Sequence, residues 1–434
     1  MIKRIAAVGV LTGIGHLTTL LALKYISKLV PDSTIAFIGE IDSLTLLIVS
    51  IVAFGLQLSA TRNIAIKEDW KKELYETQSA RFMLSILLLV FGFTGFWYTK
   101  NFMFFMAPVI SLNADYALYG RGKPIFGSFV ALIRVLIPSV TLVISSLFFK
   151  DHIVLFFAFS LVLTYLVAGI LVANSLGVDY LVRPKWRYIK KYISNFNIGI
   201  ASFSLFFIGI GIINVLSYFY NNETIAIAYI ALKLYMIFKG VRRIIVQAFF
   251  SDLKDTGISL RVDLLAVLGG LVFLNSLLFY PKVIIPLLFD EKFVSYTTTF
   301  LVLGVAGLIS SFTTSSGTRL LLKNQDKEYS RNLIVAAILT ISGGVLFWYL
   351  IGNYSYSIAL SILLGEITIS TLNIYSLKEK DYLRKRLIVF IPLLIISLMF
   401  MIVKWLFGES IYTFVFSTIL FGLSGIAYSK WKLI

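Results

Sequence analysis

The sequence predicts an all-α polytopic membrane protein of about fourteen transmembrane helices, built as two six-helix lobes followed by two further C-terminal helices. Three observations lead there. The 434 residues are 59% hydrophobic and only 14% charged, with a mean hydropathy of +0.90, whereas soluble domains carry about 25% charged residues. The apolar residues gather into runs of about 20, the length that crosses a roughly 30 Å hydrocarbon layer. The charges fall between the runs, and basic residues crowd alternate gaps.

In chain order the runs cover residues 5–29, 35–60, 82–99, 102–119, 125–149, 153–176, 197–219, 225–249, 264–288, 297–322, 333–352, 357–377, 387–407 and 411–428. The first follows Met1-Ile-Lys-Arg4, which resembles a signal n-region. Its apolar stretch is too long for a cleaved signal and no small-residue cleavage site follows, so it reads as a retained anchor. Gly9 and Gly13 within it form a small-xxx-small pair that lets helices approach. The third and fourth runs are separated only by Lys100 and Asn101. Two gaps show helical periodicity. In 62–78, Ile66, Trp70 and Leu74 recur opposite charged positions, and in 177–196, Trp186, Ile189, Tyr192 and Ile193 sit beside Arg187, Lys190 and Lys191. Both read as interfacial amphipathic helices, the second joining the lobes, or as plain solvated connectors. Pro108, Pro138, Pro281, Pro286 and Pro392 interrupt runs and predict kinks or hinges.

The chain divides accordingly into an N-lobe at 1–176, a cytoplasmic interfacial linker helix at 177–196, a C-lobe at 197–377, and a tail at 378–434 holding the last two spans and a cytoplasmic C-terminus. With 39 basic and 22 acidic residues the net charge is +17. In a soluble protein that excess would suggest nucleic acid. Here 26 cations, among them Arg81, Lys254, Lys380 and Arg386, fall in one set of alternate gaps and only four in the other. That asymmetry is the positive-inside pattern and places both termini in the cytoplasm. It predicts no nucleic-acid partner.

Nine basic residues remain within predicted spans: Lys24, Arg134, Lys233, Lys239, Arg242, Arg243, Lys282, Arg319 and Lys404. A charge at bilayer depth costs at least about 2.5 kcal/mol on insertion scales, so such groups face protein or an aqueous cavity. Lys282, Lys404, Arg242, Arg243 and Arg319 lie near span ends and could snorkel; Lys233 and Arg134 sit eight to ten residues inside. On the eighth run Lys233, Lys239, Arg242, Arg243 and Gln247 share about half of the helix circumference. His16 aligns with Thr12 and Thr19 on the first, with Lys24 beyond. Glu40 and Asp42 either pair with Lys233, Lys24 or Arg134, or lie in solvent. Asp115, Arg134 and Glu366 are central in the fourth, fifth and twelfth runs, as substrate contacts or as internal ion pairs.

Ser33-Thr-Ile-Ala36 recurs as Glu223-Thr-Ile-Ala226, and Tyr119-Gly-Arg-Gly-Lys123 corresponds to Leu322-Lys-Asn-Gln-Asp326 and Lys327. Six spans of like orientation in each half predict a parallel pseudo-twofold repeat. Gly55-Leu56 with Arg62 downstream, Ala231-Leu232-Lys233-Leu234-Tyr235, and the turn Tyr119-Gly-Arg-Gly-Lys-Pro124 together give the chain its likeness. It resembles the multidrug/oligosaccharidyl-lipid/polysaccharide (MOP) flippase superfamily, and within it the polysaccharide-transporter branch with the O-antigen, Wzx-like flippases. The resemblance spans the first twelve helices. Leu232 stands where some relatives carry an acid, which puts ion coupling through that position in doubt.

The resemblance implies a MATE-like two-lobe fold and a flippase that carries a polyprenyl-diphosphate-linked oligosaccharide to the outer leaflet of a bacterial inner membrane by alternating access. The substrate would be an undecaprenyl-diphosphate-linked repeat unit, with membrane lipid around the tail and polysaccharide polymerase or assembly proteins as partners. A diphosphate cannot cross hydrocarbon unaided, and buried Lys and Arg replace its hydration with charge-assisted hydrogen bonds. The candidate substrate residues are therefore Lys233, Lys239, Arg134, Arg242, Arg243, His16, Lys24 and Arg319. Glu40, Asp42, Asp115 and Glu366 are candidates for ion coupling or internal pairing.

The absence of cysteine excludes disulfides and thiolate sites, two histidines build no histidine metal site, and no GxxxxGK[ST] motif supplies an ATP-driven cycle. No cofactor is expected. Two alternatives stay open: a cation-coupled exporter of small molecules with the same fold, and a membrane-embedded glycan polymerase, which the short outer loops disfavour.

Overall fold

The computed structural model describes residues 2–99, 102–249, 253, 255–379 and 381–433. Lys100, Asn101, Lys254 and Lys380, used above for span limits and sidedness, lie outside the described residues. Every regular element among those described is helical. Among the described residues, eleven helices are long and apolar enough to cross a membrane, or twelve if Phe196–Phe207 and Ile210–Leu216 form one span. This is a multi-pass membrane protein, and the expectation of continuous spans needs correction at the fourth run. The fourth run is broken into a 3-10 turn at Phe102–Met106 and two short helices, whereas the fourteenth lies within one continuous helix, Ile411–Leu433, whose apolar part among the described residues is Ile411–Gly425.

The chain forms two compact units, Met1–Phe206 and Phe207–Ile434. The first contains α1 (Ile2–Leu29), α2 (Asp32–Ala53), α3 (Leu56–Ile66), α4 (Trp70–Thr99), α5 (Ala107–Ser111), α6 (Asp115–Gly120), α7 (Pro124–Phe148), α8 (Ile153–Leu176), α9 (Lys190–Ser194) and nearly all of α10 (Phe196–Phe207). The expected amphipathic helix at 62–78 does not form as one element. Residues 62–66 end α3, a turn covers 67–69, and from Trp70 the chain runs unbroken into the spanning part of α4. Gly55 makes the turn between α2 and α3 with φ +75°, and a Cβ there would sit 2.7 Å from the backbone nitrogen of Gly199. Only glycine satisfies both conditions.

α1 packs on α7, and α7 on α8. Gly9 and Gly13 were expected to mediate such approach, yet both face open space; Gly15 is the one that faces α7, where an added Cβ would lie 3.6 Å from Leu132 Cδ1. On α7 the exposed residues Ile125, Phe129, Leu136, Val140, Ile144 and Leu147 form one apolar stripe. Exposed apolar surface on that scale fits lipid and not water. α7 continues through Pro138 without a break, while Pro108 lies in the first turn of α5.

The second unit contains α11 (Ile213–Leu216), α12 (Asn222–Ala248), α13 (Thr256–Phe279), α14 (Pro281–Leu288), α15 (Thr297–Phe312), α16 (Ser316–Leu322), α17 (Asp326–Ile351), α18 (Ser355–Leu377), α19 (Tyr382–Ser397), α20 (Met399–Phe407) and α21 (Ile411–Leu433). α17 packs along α18, and α18 and α13 flank α15. α2 and α12 begin 190 residues apart; α7 and α17, and likewise α8 and α18, begin 202 apart. Two elements treated as a C-terminal appendage, α19 and α21, pack directly on α13.

Candidate functional site

Each unit holds its own buried charged cluster. In the first, Arg134 of α7 donates from Nη2 to Asp115 Oδ2 at 2.6 Å, with the side chains 23% and 15% exposed. Asp115 opens α6, where its other carboxylate oxygen accepts from the Tyr116 amide. The guanidinium lies 5.8 Å from the Tyr165 ring centre, and Tyr165 is also within electrostatic range of Asp42. Of the two readings left open for Arg134 and Asp115, the geometry is that of an internal pair. His16, Lys24, Glu40 and Asp42 are half-buried. The Glu40 side chain has no hydrogen-bond or ion-pair partner among the described residues.

Arg81 corrects the charge assignment. Counted among the cytoplasmic loop cations, it is instead 1% exposed on α4. Its Nη1 donates to the Asn113 carbonyl at 2.7 Å and to Gln78 Oε1 at 3.0 Å, and its Nη2 reaches the Ile110 carbonyl at 3.4 Å. Gln78 Nε2 donates to the Leu112 carbonyl at 2.8 Å. The physical reason is the break in the fourth run. The end of α5 leaves carbonyls without helical partners inside the protein, and Arg81 with Gln78 supplies the donors.

In the second unit α12 carries Lys233, Lys239, Arg242 and Arg243. Lys239 Nζ donates to Glu366 Oε1 at 2.8 Å and to the Ile208 carbonyl at 3.0 Å, and the Tyr235 hydroxyl donates to the same Glu366 oxygen. Arg242 lies within electrostatic range of Glu366 and 5.6 Å from the Phe238 ring centre, which is itself stacked on Phe273. Its Nε and Nη1 are buried with no hydrogen-bond partner among the described residues. Lys233 is half-buried, 5.4 Å from the Tyr229 ring centre. Arg243 is exposed. Lys239, Arg242 and Glu366 are thus brought together, with the cations in excess.

Arg319 lies elsewhere. Buried at 2% exposure in α16, it forms a two-pronged pair with Glu379, which Lys323 shares at 2.9 Å. Burial alone would raise the Glu379 carboxyl, but the hydrogen bonds from Arg319 and Lys323 outweigh it and hold it below its ordinary value.

A further pair escaped sequence reasoning. Asp263 on α13 is fully buried and accepts from Arg386 Nε at 2.7 Å, the Ser315 amide at 2.7 Å and Ser315 Oγ at 2.9 Å. Arg386 was assigned to a cytoplasmic loop, yet it is 4% exposed and sits in the second turn of α19. Its Nη2 also reaches Ser259 Oγ at 2.9 Å, and its guanidinium is 3.3 Å from the Tyr382 ring centre. The only hint in the sequence was an Arg two residues past Arg384 at the edge of an apolar run.

No protein-family model and no curated protein matches this sequence. Solved structures do match. The lipid II flippase MurJ in an inward closed conformation aligns over 99% of this chain and 98% of its own, with TM-score 0.73 and 14% identity. The fold is that of MurJ and the MATE transporters. An inward-facing multidrug resistance MATE family transporter of the MOP superfamily aligns over 86% of this chain and 96% of its own, with TM-score 0.62 and 14% identity. A MOP superfamily transporter from Pyrococcus furiosus, whose binding pocket is described as of reverse polarity, aligns over 86% and 94% with TM-score 0.50 and 14% identity. These neighbours are flippases and transporters.

Proposed function

We propose that the protein is a flippase that moves a polyprenyl-diphosphate-linked oligosaccharide, an O-antigen or other surface-polysaccharide repeat unit, from the cytoplasmic to the outer leaflet by alternating access. The observation that carries this reading is the excess of cations on α12. Lys239 pairs with the carboxylate of Glu366, Arg242 lies only within electrostatic range of it, and two buried nitrogens of Arg242 have no acceptor among the described residues. A buried unpaired donor on a cation is costly, and the oxygens of a diphosphate are the acceptors such an arrangement lacks. Lys233, two turns nearer the helix start, extends the cationic path. His16, Lys24, Arg134, Arg243 and Arg319 would have secondary roles, Arg134 and Arg319 being committed to Asp115 and Glu379.

In this reading the protein resides in a bacterial cytoplasmic membrane with both termini inside, and it binds substrate without chemically altering it. A cationic surface repels the cationic solutes that a small-molecule exporter would carry. The reading is tested by replacing Lys233 with Ala and with Glu in a strain that depends on this chain for glycan export. Export should fall with Ala and fail with Glu at normal protein levels; unimpaired export in both would remove Lys233 from the path.

A further inference from the structure

We infer that the segment 181–196 is a docking surface for anionic phospholipid headgroups, held in place by the first unit. The segment follows α8 and precedes α10, both strongly apolar. A chain that leaves the bilayer and re-enters it within about twenty residues stays close to the headgroup layer. What matters is which face it turns outward.

The inward face is fully engaged. Ser79 of α4 donates its hydroxyl to the Arg183 carbonyl at 2.8 Å and accepts from the Lys185 amide at 2.9 Å. Lys191 Nζ pairs with Glu73 at 2.7 Å and with Glu76 at 3.2 Å. The buried Tyr192 donates its hydroxyl to the Val52 carbonyl at 2.7 Å, and its ring meets Phe54. Tyr188 sets its ring edge-on to Tyr75. These contacts fix a 3-10 turn at Trp186–Ile189 and the short helix α9 against the unit, so the expected single helix over 177–196 is a shorter, clamped one.

The outward face then shows two things together. Leu181, Trp186, Ile193 and Phe196 are 72%, 62%, 73% and 54% exposed. Arg183, Lys185, Arg187 and Lys190 are exposed among them, with no acidic residue between 180 and 196. Apolar side chains bracketed by cations match the acyl boundary and the phosphates of an anionic leaflet. The one cation of this stretch turned inward, Lys191, is the one that finds carboxylates.

The chain has no cysteine, so Ile193→Cys offers a unique site for an environment-sensitive dye on the full-length protein. The labelled protein would be placed in nanodiscs of phosphatidylcholine alone and in nanodiscs with about one third phosphatidylglycerol. We expect a blue-shifted, brighter emission in the anionic discs, reversed by high salt. The shift should be lost in the Arg187→Glu/Lys190→Glu variant, whose folding is checked by its unchanged elution and melting. Two lysine or arginine contacts correspond to roughly a tenfold or greater change in the anionic-lipid dependence. Emission equal in both lipids would overturn the inference, whether the dye stays in water, as it would if a soluble protein were the natural occupant, or is buried equally in neutral lipid. No transported substrate enters the measurement, so its outcome is independent of the flippase reading.

Discussion

Removing either partner of the Asp263 and Arg386 pair should destabilise the second unit strongly, and removing both should not. The carboxylate, with no solvent exposure, receives donors from Arg386, from the Ser315 amide and hydroxyl, and from the Tyr382 hydroxyl at 3.3 Å. Arg386→Met keeps the long stem against Tyr382 and leaves the three Ser315 and Tyr382 donors in place. Asp263→Leu leaves the guanidinium with only Ser259 Oγ at 2.9 Å and the Tyr382 carbonyl at 3.4 Å. Breaking a buried pair costs about 3 to 5 kcal/mol, so Arg386→Met belongs near the lower value and Asp263→Leu near the upper. A well-packed apolar replacement of both partners is near neutral, so the double variant should recover most of the loss. Neutral interhelical hydrogen bonds in membranes average only about 0.6 kcal/mol, and a coupling of about 3 kcal/mol or more would therefore identify the charge. Equilibrium unfolding of the four proteins in mixed micelles completes the cycle. Single losses below about 1 kcal/mol that simply add in the double variant would refute the reasoning.

Three further predictions concern other elements. Arg81→Met takes the donor from the Asn113 carbonyl, while the Ile110 and Leu112 carbonyls keep the Asn113 amide and Gln78; one buried acceptor left unpaired should cost about 1 to 3 kcal/mol, read as lowered melting temperature, and unchanged melting would show that water satisfies it. Gly199→Ala drives a Cβ into the Phe54 ring and 2.8 Å from its backbone carbonyl; overpacking of this kind costs about 1 to 3 kcal/mol, and a stable variant would contradict the close approach of α10 to the Gly55 turn. For Glu379 the folded carboxyl is held below its ordinary value of 4.5, so its contribution is present above that pH and disappears as pH falls through the lowered value. The melting difference between wild type and Glu379→Gln should be constant from neutral pH down to about 5 and narrow below 4.5; a gap that widens on acidification would contradict the sign.

The helices were legible because apolar runs of the right length have one use, and the spans at 153–176 and 357–377 match α8 and α18 within two residues. The breaks were not legible where hydropathy stays high through them. Residues 102–119 are as apolar as a continuous span, and the interruption at 112–114 depends on Arg81 and Gln78, which lie about 30 positions earlier. The cations at mid-span, of which Arg134 and Lys233 are half-buried, were readable as at least partly buried, since insertion cost alone requires it. Their partners were not, because Lys239 and Glu366 are 127 positions apart and Arg386 and Asp263 are 123 apart. Arg81 and Arg386 were misplaced for one reason: each sits at the edge of an apolar run, where the same residue type serves as a topological marker or as a buried donor.

The most direct test is transport by the purified chain alone. Proteoliposomes would be loaded with a fluorescent polyprenyl-diphosphate oligosaccharide in both leaflets and treated with a membrane-impermeant quencher. With wild-type protein the protected inner half should become accessible over minutes, and with Lys233→Glu at equal incorporation it should stay protected. An inner-leaflet pool no more accessible with wild-type protein than in protein-free liposomes would contradict the flippase assignment.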